Sequence, residues 1–229
     1  LKKLEKNTEI NPSPDTLRII QDKLLQKQFL SENGIEVAEF AKVESKDELI
    51  QKIGELGLPL LLKTRRDAYD GRGNYKINSK SEIDDALDLF KGKTLMVEKF
   101  IKFEKEVSVI AARNTKGNIT TYPVVENIHE NNILRITIAP GRVSENVKKQ
   151  AEKIAEKTME VLHGAGVFGI EMFVTPDEKI LINEIAPRVH NSGHHTLQSA
   201  NTSQFEQHLR AILGLNLGDA SIKYPTIMY

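Results

Sequence analysis

Three short runs in the second half of the chain, Val107–Ala112, Thr120–Glu126 and Ile133–Ala139, alternate apolar and polar residues, with Asn114–Thr115–Lys116–Gly117–Asn118 turning between the first two. A period of two puts the apolar side chains on one face only, so these runs require a sheet with one covered face. The cover follows in the sequence. Ser144 is placed to cap a helix over Glu145–His163, whose Val147, Ala151, Ile154, Ala155, Met159 and Leu162 form one apolar stripe. After Gly164 and Gly166 come two more strands, Phe168–Val174 and Lys179–Asn183, joined by the turn Thr175–Pro176–Asp177–Glu178. The spacing therefore predicts an antiparallel sheet with a helix packed on it, an α+β arrangement.

The first half is more mixed. Ser13 as N-cap and Pro14 at the first helical position open a helix whose stripe of Leu17, Ile20, Leu24 and Leu25 runs until Asn33–Gly34 stops it. Ser45 and Glu48 form a capping box for a second helix that ends at Gly57, followed by a strand at Leu58–Lys63. Ser81 and Asp84 open a third helix reaching toward Gly92, before a strand at Leu95–Phe100; Ser203 and Glu206 cap a last helix to Leu213. A split between a smaller and a larger lobe is expected near residue 101. With 32 basic residues against 32 acidic ones in 229, no long-range field favours nucleic acid or an anionic membrane. The chain has no cysteine, which excludes thiolate metal sites and disulfides, and no apolar run near the ~20 residues that span a bilayer. Leu1–Lys6 lacks the core of a signal peptide, so the expected location is cytoplasmic.

Three constellations carry chemistry. Glu171 and Glu184 sit on consecutive strands around a short turn, so their carboxylates can converge, and with the amide oxygen of Asn183 they suit a hard cation such as Mg²⁺. Two exposed strand carboxylates would give the same pattern, but both lie in otherwise apolar strands, where an unpaired charge is costly. Lys63–Thr64–Arg65–Arg66–Asp67–Ala68–Tyr69–Asp70–Gly71–Arg72–Gly73–Asn74 follows a strand directly, and its glycines and cations suit a phosphate, although an ordinary surface turn can look alike. Val97–Glu98–Lys99–Phe100–Ile101, with Glu106 beyond, can offer backbone groups to an adenine edge and a carboxylate to ribose hydroxyls; a solvated linker is the plain alternative. His190 and His194 have a spacing seen in zinc sites, but no third ligand is evident and Ser192–Gly193 between them argues for a loop.

Taken in order, Gln21–Asp22–Lys23, Lys63–Thr64–Arg65–Arg66, Tyr69–Asp70–Gly71–Arg72–Gly73, Glu98–Lys99–Phe100, Asn183–Glu184–Ile185–Ala186–Pro187–Arg188–Val189–His190–Asn191–Ser192–Gly193–His194 and Ser203–Gln204–Phe205–Glu206 resemble the ATP-grasp superfamily, and within it the carboxyaminoimidazole ribonucleotide synthetases of purine biosynthesis. The resemblance runs from about Pro12 to the end of the chain. It implies an ATP-grasp fold of two lobes, each a mainly antiparallel sheet with packed helices and the nucleotide between them: a leading linker and helix over 1–33 after an N-terminal domain that is not in this sequence, a small lobe over 34–101 and a large lobe over 102–229.

It further implies ATP and Mg²⁺ as cofactors and 5-aminoimidazole ribonucleotide and bicarbonate as substrates, with no nucleic-acid or membrane partner; a homodimer is compatible with it. Lys23 and Lys63 would contact ATP phosphates, Ala68–Asn74 would fold over nucleotide and substrate, Glu98, Lys99, Phe100 and Ile101 would hold adenine, and Glu106 the ribose. His129 falls at a further nucleotide contact, and Asn183 beside the metal ligands Glu171 and Glu184. Tyr69, Asp70 and Arg72 would touch the ribonucleotide, as would Arg188, His190 and His194, whereas Arg188, His190 and Asn191 would surround the bicarbonate and the reactive intermediate, with His190 taking the amine proton. Ala68 stands where glycine is common in the family and Asn74 where glutamine is. The family's flanking domains lie outside the sequence, so an ATP/Mg²⁺-binding piece without turnover and another ATP-dependent carboxylate–amine ligase stay open.

Overall fold

The structure, a computed structural model, describes residues 1, 3–66 and 73–229. Its first half contains α1 (Pro14–Ile20), α2 (Lys23–Glu32), β1 (Phe40–Val43), α3 (Lys46–Leu56), β2 (Leu60–Thr64), β3 (Asn74–Ile77), α4 (Ile83–Leu89) and β4 (Leu95–Lys99). The four strands form one antiparallel sheet in the order β1-β4-β2-β3. Leu49 and Ile53 of α3 and Ile83 and Ala86 of α4 pack on Leu60, Leu62, Ile77 and Val97, all essentially excluded from solvent. Each such side chain adds about 1.5–3 kcal/mol of apolar burial, which holds two short helices on a small sheet.

Two predicted boundaries move, each for a local reason. The single helix expected up to Asn33 is broken at Gln21–Asp22: Asp22 is extended, and its carboxylate accepts the N–H groups of Leu24 and Leu25 to start α2 afresh. The third helix begins not at Ser81 but after a 3₁₀ turn over Lys80–Glu82 flanked by Ser79, with the Glu82 carboxylate accepting the N–H of Asn78. The edge strands β1 and β3 were not expected; each is only four residues long.

The second half contains β5 (Lys105–Arg113), β6 (Ile119–Thr121), β7 (Val125–Glu130), β8 (Ile133–Ala139), α5 (Glu145–Val161), β9 (Gly166–Val174), β10 (Ile180–Ala186), α6 (Thr196–Ser199), α7 (Gln204–Ile212) and β11 (Thr226–Met228). Their sheet has the order β10-β9-β5-β7-β8-β11, with β6 also paired to β5. The strand expected over Thr120–Glu126 is two strands, because Pro123 cannot donate to the ladder; β6 pairs Ala111–Arg113 and β7 pairs Glu106–Ser108 along the same edge of β5.

The faces of this sheet differ sharply. One presents Val107, Val109, Ala111, Phe168, Ile170, Met172, Val174, Ile180, Ile182 and Ile185 to Val147, Ala151, Ala155 and Met159 of α5. Ile20, Leu30 and Ile35 join that same core, so the leading helices pack with the larger sheet. The other face carries Glu106, Ser108, Asn127, Glu171 and Glu184, and the site is built there.

Candidate functional site

A bulge aims the acidic pair. Along β10, Ile180 and Ile182 stand opposite Val174 and Met172 on the core face, and strict alternation would put Glu184 there too. The register slips between Ile182 and Glu184, leaving Asn183 as the extra residue, so Glu184 stands directly opposite Glu171 on the polar face and Ile185 returns to the core opposite Ile170. Directly opposed residues have Cβ atoms roughly 4.5–5.5 Å apart, within reach of a shared ligand.

Each carboxylate has a cationic or donor neighbour. Glu184 Oε2 lies 2.7 Å from Lys23 Nζ, which reaches it from the start of α2. Glu171 Oε1 lies 3.2 Å from His190 Nε2, and its other oxygen is 3.5 Å from the Asn183 side-chain nitrogen. Burial opposes the charge of Glu171, but His190, His129 and Lys23 outweigh it and hold its carboxyl below the ordinary value, so it is ionised at neutral pH. Among the described residues no group of three or more His, Cys, Asp or Glu side chains forms a protein-only metal cage. Two hard oxygen donors fit Mg²⁺, which keeps water and phosphate oxygens as its other ligands. They do not fit zinc, and the two histidines are otherwise engaged: His190 with Glu171 and Ser192, His194 with Gln204.

A second charged group lies where α2 meets the smaller sheet. Glu98 is 1% exposed and sits between Lys63 (2.9 Å) and Lys27 (3.2 Å). Burial pushes the Lys27 ammonium down; burial works against the Glu98 carboxylate as well, but Lys63 and Lys27 hold it below the ordinary value. The carboxylate of Glu98 is thus engaged by the two lysines, which leaves the backbone of the 98–101 segment, the part expected to meet an adenine edge, as what it can offer. Lys27 was missed, although its position between Leu24 and Leu30 on the buried side of α2 was the available signal. Asp22 is a similar anchor, taking Arg65 Nε at 3.0 Å, Arg65 Nη2 at 2.7 Å and Arg66 Nε at 3.2 Å; both arginines are thereby occupied by the protein itself.

The remaining predicted residues divide. Glu106 and His129 meet at 3.1 Å, and the carboxylate raises the pKa of the imidazole. In the segment after β4, Lys99 and Phe100 donate their N–H groups to Glu39 and Pro59, Lys99 Nζ pairs with Glu39, and Lys76 Nζ lies 3.8 Å from the centre of the Phe100 ring; Ile101 follows, half-buried. Ala68, Tyr69, Asp70, Gly71 and Arg72 lie outside the described residues. Gly73 and Asn74 are part of the β2–β3 hairpin: the Gly73 carbonyl accepts the N–H of Thr64, and Asn74 pairs with Lys63. Arg188 and Asn191 are exposed, and the Arg188 guanidinium folds back on the carbonyl of Val189.

The loop carrying the histidines is held from beneath. Gln204, fully buried at the start of α7, accepts the N–H of His190 at 2.9 Å, donates to its carbonyl at 2.8 Å and lies 2.9 Å from His194 Nδ1. The His194 ring stacks on Phe205, 5.4 Å between centroids, and burial together with His190 and Arg188 lowers its pKa. A Cβ on Gly169 of β9 would stand 2.5 Å from the Cβ of His190, so only glycine lets the loop lie this close to the strand. His190 Nδ1 faces Ser192 and Nε2 faces Glu171, so both ring nitrogens, expected to serve an incoming amine, have protein partners here.

Comparison with known proteins agrees on one family. Residues 28–205 match the ATP-grasp domain. The chain is 47% identical over 208 residues to phosphoribosylaminoimidazole carboxylase of Ogataea methanolica, covering 90% of this chain and 38% of that protein. It is 42% identical over 214 residues to N5-carboxyaminoimidazole ribonucleotide synthase of Bacillus subtilis, covering 93% of this chain and 56% of that one. Among solved structures, the N5-carboxyaminoimidazole synthase of Aspergillus clavatus, in complex with ADP and 5-aminoimidazole ribonucleotide, superposes with a TM-score of 0.93 at 38% identity, over 99% of this chain and 60% of that one. The chain thus spans less than two thirds of each of these relatives.

Proposed function

This chain belongs to the ATP-grasp family, and from that premise we propose that it takes part in the ATP-dependent carboxylation of 5-aminoimidazole ribonucleotide by bicarbonate, giving the N5-carboxyamino product, ADP and phosphate. The observation that carries the reading is the polar sheet face, where Glu171 and Glu184 oppose each other with Lys23 against one and His190 against the other.

In this reading Lys23 and Lys63 meet the phosphates, Glu106 with His129 meets the ribose, and the 98–101 segment borders the adenine through its backbone carbonyls and Ile101, since the Lys99 and Phe100 N–H groups and the Glu98 carboxylate are already engaged. Glu171 and Glu184, with Asn183 beside them, would hold Mg²⁺. When bound, the cation neutralises charge on the transferring phosphoryl group. Bicarbonate is a weak electrophile, so attack of its oxygen on the γ-phosphorus, with loss of ADP, gives carboxyphosphate, and the exocyclic amine of the ribonucleotide then captures the activated carboxyl, its proton passing to the phosphate that departs. The lysines stabilise negative charge in the first step. Arg188 and Asn191, exposed beyond the end of β10, would serve the anionic acceptor side together with His194, and His190 would serve there by holding Glu171.

The test is phosphate release by this chain with ATP, Mg²⁺ and bicarbonate, with and without 5-aminoimidazole ribonucleotide. Ribonucleotide-dependent release is the expected result. ATP binding by calorimetry without such release would leave a nucleotide-binding piece, and release dependent on a different amine would point to another ligase.

A further inference from the structure

A line of side chains crosses the polar face of the larger sheet and ends on His190. Thr137 donates its hydroxyl to Asn127 Oδ1 at 3.2 Å, Asn127 Nδ2 donates to Ser108 Oγ at 2.9 Å, and Ser108 donates to Ser192 Oγ at 2.7 Å. Ser192 Oγ in turn lies 2.9 Å from His190 Nδ1. Ser108, Thr137 and Ser192 are fully buried and Asn127 is 4% exposed, so these groups have little recourse to water.

The direction of the line follows from its chemistry. With Thr137 on the amide oxygen of Asn127, the amide nitrogen gives its hydrogen to Ser108. Ser108 then passes its own proton to Ser192, and His190 Nδ1 is the acceptor in reach for the proton of Ser192. The backbone N–H of Ser192 points at the same nitrogen, 3.3 Å away, and agrees with this direction. A ring nitrogen that accepts carries no hydrogen, so the neutral imidazole bears its proton on Nε2, which faces Glu171 Oε1 at 3.2 Å. Run backwards, the line would place the hydrogen on Nδ1 and aim the Nε2 lone pair at a carboxylate.

Resting on the carboxylation reading above, we propose that Asn127 and Ser108 are positioning residues: through Ser192 they fix His190 as the Nε2–H tautomer, and His190 thereby holds the Glu171 carboxylate in place opposite Glu184. Neither residue needs to touch a substrate to act in this way. Removing the orienting partner of a ligating carboxylate typically costs about 10–100-fold in metal affinity or activity.

Asn127→Asp tests the direction directly. The new carboxylate has nearly the shape of the amide but no hydrogen to give, so Ser108 donates to it and Ser192 loses the donor that turns its own proton toward His190 Nδ1. Ser108→Ala interrupts the line with the loss of one buried hydroxyl and serves if the aspartate variant does not fold. The readout is the long-range ¹H–¹⁵N spectrum of histidine-labelled, ligand-free protein at about pH 8, above the ordinary histidine range. We expect Nε2–H alone in the parent chain and a measurable share of Nδ1–H in both variants, larger in Asn127→Asp, where only the Ser192 N–H and Glu171 still favour Nε2–H. Turnover should fall roughly tenfold or more in both, with the KM for ATP within about twofold. A parent chain with Nδ1–H, or variants that keep the parental spectrum, overturns the proposal. A parent chain with the expected spectrum but no ribonucleotide-dependent turnover overturns the carboxylation reading and leaves the tautomer assignment standing.

Discussion

Lysine on the buried stripe of a helix is costly unless a carboxylate meets it, and Lys27 of α2 is met by Glu98. Replacing Glu98 by Gln would leave the ammonium groups of Lys27 and Lys63 facing each other away from water, so urea unfolding should show a loss of about 3–5 kcal/mol. Lys27→Met should cost clearly less, because Lys63 still compensates Glu98; equal losses in the two variants would contradict the shared-carboxylate arrangement. His195 gives a pH dependence. It is 3% exposed, Ser199 Oγ lies 2.7 Å from its Nδ1, and burial lowers its pKa to about 4. Between about pH 6.5 and 4 the unfolded chain takes up a proton that the folded chain refuses, so stability is present above this window and is lost as pH falls through it, on the order of 3 kcal/mol from this residue. His195→Asn, which keeps an amide group toward Ser199, should flatten that part of the stability–pH curve. At this scale the sequence was informative about residue types but not about pairing: a lysine between Leu24 and Leu30 announces a partner, yet nothing local says that it is Glu98.

Among the elements, β10 carries an extra residue. Deleting Asn183 would remove the bulge while Glu184 stays opposite Glu171 and Ile185 stays in the core; the expected outcome is a folded chain, checked by thermal melts, whose ATP-dependent turnover falls because the Asn183 amide beside Glu171 is lost. Gly169→Ala should likewise lower turnover more than stability. Its Cβ collides with His190 and not with the α5 side of the sheet, so the fold should lose about 1–3 kcal/mol while turnover falls much further, as parallel thermal melts and phosphate-release assays would show. The larger sheet was legible because its strands alternate and its covering helix has one continuous stripe. The smaller sheet was half legible, because four-residue edge strands carry too few residues for a period to show. The bulge could not be read at all: counting Ile180, Ile182 and Glu184 by twos leads to the core, and only the pairing with β9 reveals the slip.

For the whole molecule, the two sheets are joined by more than the segment between Lys99 and Lys105. Ile182 donates its N–H to the Glu36 carbonyl, Lys179 pairs with the Glu36 carboxylate, and Val37 forms a parallel bridge to Ile182, so the residues before β1 run beside β10. The leading helices also lodge Ile20 and Leu30 in the larger core. The change from mixed elements to alternating strands near residue 101 is visible in the sequence, but the packing of residues 14–37 with the larger sheet is not, since an apolar helix stripe does not name the surface it will cover. Helix α2 stands at the junction with two lysines one turn apart, Lys23 on Glu184 and Lys27 on Glu98. In the language of circuits, the proposed function would make it a coincidence detector. A polyphosphate arriving alone would draw Lys23 away from Glu184, whereas a divalent cation arriving alone would displace Lys23 from it; only the two together would give both Lys23 and Glu184 a partner of opposite charge. Calorimetry should therefore find that ATP and Mg²⁺ each tighten the other's binding, and that Lys23→Met erases most of this mutual dependence.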